Sequence, residues 1–170
     1  AGPMTLTLRP LRAEDSRDAA RIFFCAVHDG TRHAYTLQER RAWAGDSIDL
    51  PRWQTRLASL TGFVAEENAE PVGFMATTPG GHLDLAFVLP SCAGWGIGRA
   101  LLDAVEAQAR TLGLGRLTTH ASLAARPFFA RQGWRVMSEE TVLRAGVSLR
   151  RFAMDRQLGD ARDQPCDIRR

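Results

Sequence analysis

An apolar run, Leu85-Ala86-Phe87-Val88-Leu89, stops at Pro90, and three alternating glycines, Gly94, Gly96 and Gly98, follow as a long helical pattern opens at Ile97. No other stretch constrains the fold as much. A strand, a glycine-rich loop and a helix start in succession make a cradle for an anion. Glycine lets the backbone approach a ligand closely, and the first N–H groups of a helix have no partner within it. The positive end of the helix dipole adds attraction. The arrangement predicts an α/β chain that binds a phosphorylated small molecule.

The spacing separates the known cradles. A P-loop ends in Gly-Lys-Ser/Thr, but Gly98 is followed by Arg99-Ala100, with no hydroxyl for magnesium. A dinucleotide fingerprint runs Gly-x-Gly-x-x-Gly, with an acid at the end of the next strand. Here the third glycine comes one residue early, and the next strand pattern, Arg116 to His120, closes without an acid. Ala93-Gly94-Trp95-Gly96-Ile97-Gly98 instead resembles the acetyl-coenzyme A loop of the GNAT acetyltransferases, Arg/Gln-x-x-Gly-x-Gly/Ala. It matches at both glycine positions and carries Ala93 in the first. A second family signature, Asn-x-x-Ala-x-x-Phe/Leu-Tyr-x-x-x-Gly-Phe, is matched in spacing by Ser122 to Trp134. Ser122 stands for Asn, Phe129 for Tyr and Trp134 for Phe. The opening, Leu6 to Asp15, is similar to a GNAT first strand running into its first helix, so the resemblance spans residues 5–156.

This resemblance implies an α/β GNAT (acyl-CoA N-acyltransferase) fold: a mixed, mostly antiparallel sheet with splayed central parallel strands, flanked by helices. The strand ending at Pro90 and the strand ending at His120 are expected to part there. Unpaired backbone groups of Phe87, Val88 and Leu89 would then receive the pantetheine amides as an added strand would. The phosphates fall to Ala93, Gly94, Trp95, Gly96, Ile97, Gly98 and Arg99, with Ser122 and Phe129 also against the cofactor. That cofactor is acetyl-coenzyme A, and the implied reaction moves its acetyl group to an amine by direct attack in a ternary complex. Many family members use a tyrosine to protonate the leaving thiolate. Phe129 occupies that position and has no proton to donate.

Periodicity supplies the remaining elements. Thr5 to Arg9 alternates as a strand, and Ala13 to His28 carries an apolar helical stripe. Thr36 with Glu39 three residues on reads as a capping box for a helix that stops near Gly45. Arg52 to Leu60 reads as a further helix, and Phe63 to Glu66 and Val72 to Thr77 as a hairpin. Leu83 to Leu89 is a central strand, Ile97 to Leu112 a helix, Arg116 to His120 a strand and Ala124 to Gln132 a short helix. Trp134 to Leu143 and Ser148 to Met154 close the pattern as a hairpin.

The 170 residues, 45% hydrophobic and 24% charged, suit one soluble domain over 4–158, with 159–170 as a mobile tail. Ala1-Gly2-Pro3 before Met4 reads as a tag remnant and takes no part in the fold. No apolar run reaches membrane-span length, and no signal peptide opens the chain. Cys25, Cys92 and Cys166 are too dispersed for a metal pattern or a disulfide framework, which points to the reducing cytoplasm. All 22 basic residues are arginine, and they form no run of the kind that grips nucleic acid. The net charge of +3 suits a polyanionic cofactor.

The chemistry needs a base for the amine and an acid for the thiolate. Asp84, on the central strand with His82 on the same face and Leu83 and Leu85 on the other, is a candidate base or a solvent-facing carboxylate. Tyr35, the single tyrosine, is a candidate acid or a packing partner of Trp43. His120 ends the second splayed strand and is a third catalytic candidate. His28, Tyr35, Trp43 and His82 are the expected acceptor contacts. Cys92 reads as filler. A small-molecule amine is the expected partner; an aminoglycoside, a polyamine, an amino-acid analogue and a protein amino terminus are the acceptors left open. Two other readings stay open. Ala93 and Phe129 motivate a non-catalytic acyl-coenzyme A sensor, and an open groove would serve an enzyme acting on protein amino termini or side chains. The last hairpin offers an edge for a homodimer.

Overall fold

The computed structural model describes residues 5–159, so the expected tail lies outside the described residues apart from Gly159. Strand β1 (Leu6–Pro10) leads through a 3-10 turn (Ala13–Asp15) into α1 (Ser16–His28). Helices α2 (Leu37–Ala44) and α3 (Leu50–Ala58) come next, then β2 (Thr61–Glu67), β3 (Glu70–Thr77) and β4 (His82–Val88). Helix α4 (Ile97–Thr111), β5 (Arg116–Ser122), α5 (Arg126–Arg131), β6 (Arg135–Arg144) and β7 (Val147–Gln157) complete the order.

Local chemistry sets most boundaries. Thr36 accepts a hydrogen bond from the Glu39 N–H, and the Glu39 carboxylate accepts one from the Thr36 N–H, so α2 opens on the expected capping box. Helix α3 begins before the expected Arg52, because Asp49 accepts from the Arg52 N–H and Pro51 sits in the first turn. There its fixed φ suits a helix and its missing N–H costs nothing. Helix α5 is shorter than the apolar pattern implied, starting after a turn in which Ser122 accepts from the Ala125 N–H.

The seven strands form one sheet in the order β1-β2-β3-β4-β5-β7-β6. Alternation along the strands feeds two apolar layers. Val64 and Phe74 pack with Ile22, Phe23 and Trp53 from α1 and α3. Ala65 and Met75 pack with Ile97, Leu101 and Val105 from α4. Burying each large side chain of this kind contributes about 1.5–3 kcal/mol. Under the β5–β7 end, the fully buried Asp155 accepts from Arg135 at 2.6 Å and Arg116 at 2.9 Å. The Arg135 hydrogen bond, with Arg116 beside it, holds its carboxyl at a pKa of about 2.

Two features of β4 shape the space beside it. Its parallel pairing with β5 is limited to His82–Thr118 and Leu83–Thr119, after which the strands part. Its pairing with β3 shifts register, with Ala76 opposite Leu85 but Thr77 opposite Leu83, so Asp84 faces no partner. The extra residue breaks the two-residue period. Leu83 therefore joins the α4 layer and Leu85 the α1 layer, rather than sharing one face as strict alternation predicts.

Candidate active site

The parting of β4 and β5 opens two adjoining cavities that share Trp43, Phe87 and Ser122 in their walls. The smaller, about 490 Å³, is lined by Val88, the loop from Pro90 to Gly94, the start of α4, and Phe128 and Phe129 from α5. The larger, about 760 Å³, lies on the α2–α3 side and includes His82, Asp84 and His120.

The alternating glycines give the smaller cavity its donors. Ala93 and Trp95 turn their N–H groups inward to the Pro90 and Cys92 carbonyls, at 3.2 and 3.4 Å. Gly94 (φ 83°) and Gly96 (φ 77°) take the left-handed conformation that allows this zigzag, and their N–H groups have no backbone partner among the described residues. The first intrahelical bond of α4 runs from the Ala100 N–H to the Gly96 carbonyl, which leaves the Ile97, Gly98 and Arg99 N–H groups free. A side chain at Gly98 would meet the Phe128 ring at 3.3 Å. The backbone thus offers a row of donors to an anion, backed by the Arg99 and Arg131 side chains. One sequence expectation needs correction. The Ala93 and Trp95 amides are committed within the loop; Ala93 still lines the cavity, but the half-exposed Trp95 does not.

The β4 edge also needs correction. The Leu89 N–H donates to the Val72 carbonyl at 2.8 Å, and Phe87 lies opposite Phe74 two residues back. Antiparallel alternation then turns the backbone groups of Phe87 and Leu89 toward β3, and those of Val88 toward the gap. Of the three expected backbone contacts, only Val88 offers its main chain to the cavity. Phe87 contributes its ring, packed edge-on to Phe23 at 4.9 Å between centroids.

Tyr35 has a structural task. Its hydroxyl is held between α1–α2 and the sheet, donating to the Arg150 carbonyl at 2.7 Å and accepting from the Leu123 N–H at 2.8 Å. Burial raises its pKa. With its proton committed to a carbonyl, it is no acid for a leaving group. Tyr35→Phe is therefore expected to remove the hydroxyl partner of two part-buried backbone groups, the Arg150 carbonyl and the Leu123 N–H. Thermal unfolding should show a loss of about 1–3 kcal/mol while turnover at permissive temperature changes little. A large loss of turnover without a change in stability would restore Tyr35 as the acid. His28 is corrected as well: its Nε2 lies 2.7 Å from the Gly45 carbonyl beyond the end of α2, and it lines neither cavity. Phe129 is buried between Phe128 and Trp134, with ring centroids at 5.2 and 5.1 Å.

In the larger cavity the His82 and His120 rings lie tilted against each other with centroids 4.9 Å apart, one from each of the parting strands. His82 Nδ1 shares a hydrogen with Thr118 Oγ1 at 2.8 Å, and His120 Nε2 lies 3.7 Å from Glu140. Burial lowers both pKa values, and the Arg151 charge lowers them further, so both rings are neutral at pH 7. Asp84 is paired with Arg56 at 3.2 Å. The cavity also holds arginines that sequence reading did not single out, contributed by α3, β6 and β7.

Comparison with known proteins agrees with this geometry. Residues 31–156 match the family model of the acetyltransferase (GNAT) domain. The chain is 32% identical over 149 residues to the uncharacterized N-acetyltransferase YafP of Escherichia coli (strain K12), covering 88% of this chain and 94% of that protein. A GCN5-related N-acetyltransferase from Rhodopseudomonas palustris superposes with a TM-score of 0.85 at 30% identity, over 92% of this chain and 99% of that one. A phosphinothricin acetyltransferase from Sinorhizobium meliloti, solved with acetyl-coenzyme A, shares the fold at 19% identity and a TM-score of 0.70, over 97% and 95% of the two chains. The chain belongs to the GNAT superfamily of N-acetyltransferases.

Proposed function

We propose that residues 4–158 form a single catalytic domain that transfers an acetyl group from acetyl-coenzyme A to the amine of a small molecule, by direct attack with both partners bound. The observation that carries this reading is the junction of the two cavities at Trp43, Phe87 and Ser122. A donor held in one cavity meets an acceptor held in the other where the strands part.

The residues suit the donor. The Gly94, Gly96, Ile97, Gly98 and Arg99 N–H groups would hold its phosphates, and the Val88 main chain would pair with its pantetheine arm. Bound acetyl-coenzyme A supplies an activated acyl group on a thioester. The chain's own residues then have three tasks. The Val88 N–H, turned into the gap, donates to oxygen as negative charge develops there. The neutral His120 imidazole takes the proton of the attacking amine, with His82 beside it. Asp84 is ion-paired with Arg56 and positions it. Phe129, buried against the cradle, has no proton to donate, so the coenzyme A thiolate would leave unprotonated or take its proton from water.

Calorimetric titration of acetyl-coenzyme A, coenzyme A and NAD into the purified chain tests the reading. Binding of the two coenzyme A species without NAD supports it, and absence of acetyl-coenzyme A binding overturns it. Binding without turnover of any amine would identify a sensor instead.

A further inference from the structure

The acceptor cavity is cationic, and this restricts the amine. Arg52, Arg56, Arg144, Arg150 and Arg151 line it, and Asp84 is the single carboxylate in its wall among the described residues. Arg56 is paired with Asp84 at 3.2 Å, Arg150 with Glu139 at 2.6 Å and Arg151 with Glu140 at 3.1 Å. Arg52, in the first turn of α3, and Arg144, at the end of β6, have no carboxylate partner among the described residues. Two exposed arginines without a carboxylate partner among the described residues therefore line a concave space to which Phe23, Trp43 and Phe87 add aromatic wall.

We propose that the acceptor is a zwitterionic small molecule: an amine that also carries a carboxylate or phosphonate, with an apolar substituent. The proposal rests on the acetyltransferase reading and names the acceptor class within it. A guanidinium offers paired donors that match a carboxylate or phosphonate in plane. A concave wall lined by several arginines focuses the field of such charges. The aromatic inner wall takes an apolar side chain, and the amine is left to point at the junction beside His120. The same field disfavours a protonated amine, and so favours the neutral form that attacks. Polycations such as polyamines and aminoglycosides would place further positive charge among these arginines, and are excluded.

Matched pairs test this on the full chain. L-Phenylalanine, its phosphonic analogue and phenethylamine differ only in the anionic group, and spermidine serves as the polycation. Calorimetric binding of each amine, with and without coenzyme A, is compared with thiol release in the presence of acetyl-coenzyme A. The anionic members should bind at least about tenfold more tightly than phenethylamine. That preference should shrink when salt rises from about 0.05 to about 0.5 M. It should disappear in the exposed double variant Arg52→Glu/Arg144→Glu, whose affinity for coenzyme A stays unchanged. A preference for the carboxylate or for the phosphonate would identify which anion the site takes. Equal binding of phenethylamine, preference for spermidine, or no binding of any anionic amine overturns the proposal while acetyl-coenzyme A still binds. Failure of acetyl-coenzyme A to bind overturns the acetyltransferase reading instead, and the binding of the amines alone remains readable.

Discussion

Gly96→Asp is expected to weaken acetyl-coenzyme A binding by at least about 100-fold, close to 3 kcal/mol. Gly96 precedes the first residue of α4 with φ at 77°, a conformation that costs any side-chain-bearing residue about 1 kcal/mol or more. A Cβ there meets no heavy atom within 4 Å, so the carboxylate would project from the loop rather than press on the core. It would add negative charge beside the free Gly98 and Arg99 N–H groups, where those groups and the helix dipole favour an anion. The fold should survive, because the strain is local and the loop is exposed. Calorimetry of the variant, with thermal unfolding alongside, separates the contributions. Gly96→Ala carries the strain without the charge and should lose far less affinity. Unchanged affinity in Gly96→Asp would remove this loop as the phosphate site.

The features legible in the sequence were local ones. The glycine zigzag and the Thr36–Glu39 capping box are written within a few residues, and each forms by contacts among those residues. The second signature placed Ser122 and Phe129 against the cradle for the same reason: one turn and one short helix carry it. The features that escaped depend on partners far along the chain. The bulge at Asp84 is a mismatch of register between β3 and β4, and nothing in β4 alone records it. Tyr35 reads as a candidate acid or a packing partner of Trp43; its ring does pack edge-on to Trp43 at 5.6 Å, but its hydroxyl meets a carbonyl 115 residues away and pins two layers together. The arginines of the acceptor cavity come from α3, β6 and β7, and each looks like an ordinary surface residue until the sheet order brings β7 beside β5. Hydrogen-bond polarity along β4 was also hidden. Whether Phe87 or Val88 turns its main chain to the gap is set by the register with β3.

Replacing His120 by alanine is expected to lower kcat by about 10²–10⁴-fold, the usual range for loss of a positioned base, with little change in acetyl-coenzyme A affinity. The pH profile makes the assignment specific. Burial lowers the pKa of His120 below its ordinary 6.5, and the Arg151 and His82 charges act in the same direction against the weaker pull of Glu140 and Asp84. The neutral ring is the working base, so kcat/KM should hold steady through pH 7. It should fall on the acid side, as pH drops through a midpoint below 6.5. In His120→Ala that acid limb should disappear along with most of the rate. His82→Ala should retain more activity but move the limb upward, because protonated His82 no longer opposes protonation of its neighbour. The two rings, 4.9 Å apart and one from each parting strand, act on each other's charge, so the limb belongs to the pair and each single variant simplifies it. If both variants kept the wild-type limb and rate, the base would lie elsewhere, and Asp84, the single carboxylate lining the cavity among the described residues, would be the next candidate. Arg56→Ala would then be informative. The variant removes the 3.2 Å partner of Asp84, so a rise in activity would point to that carboxylate and a fall would not.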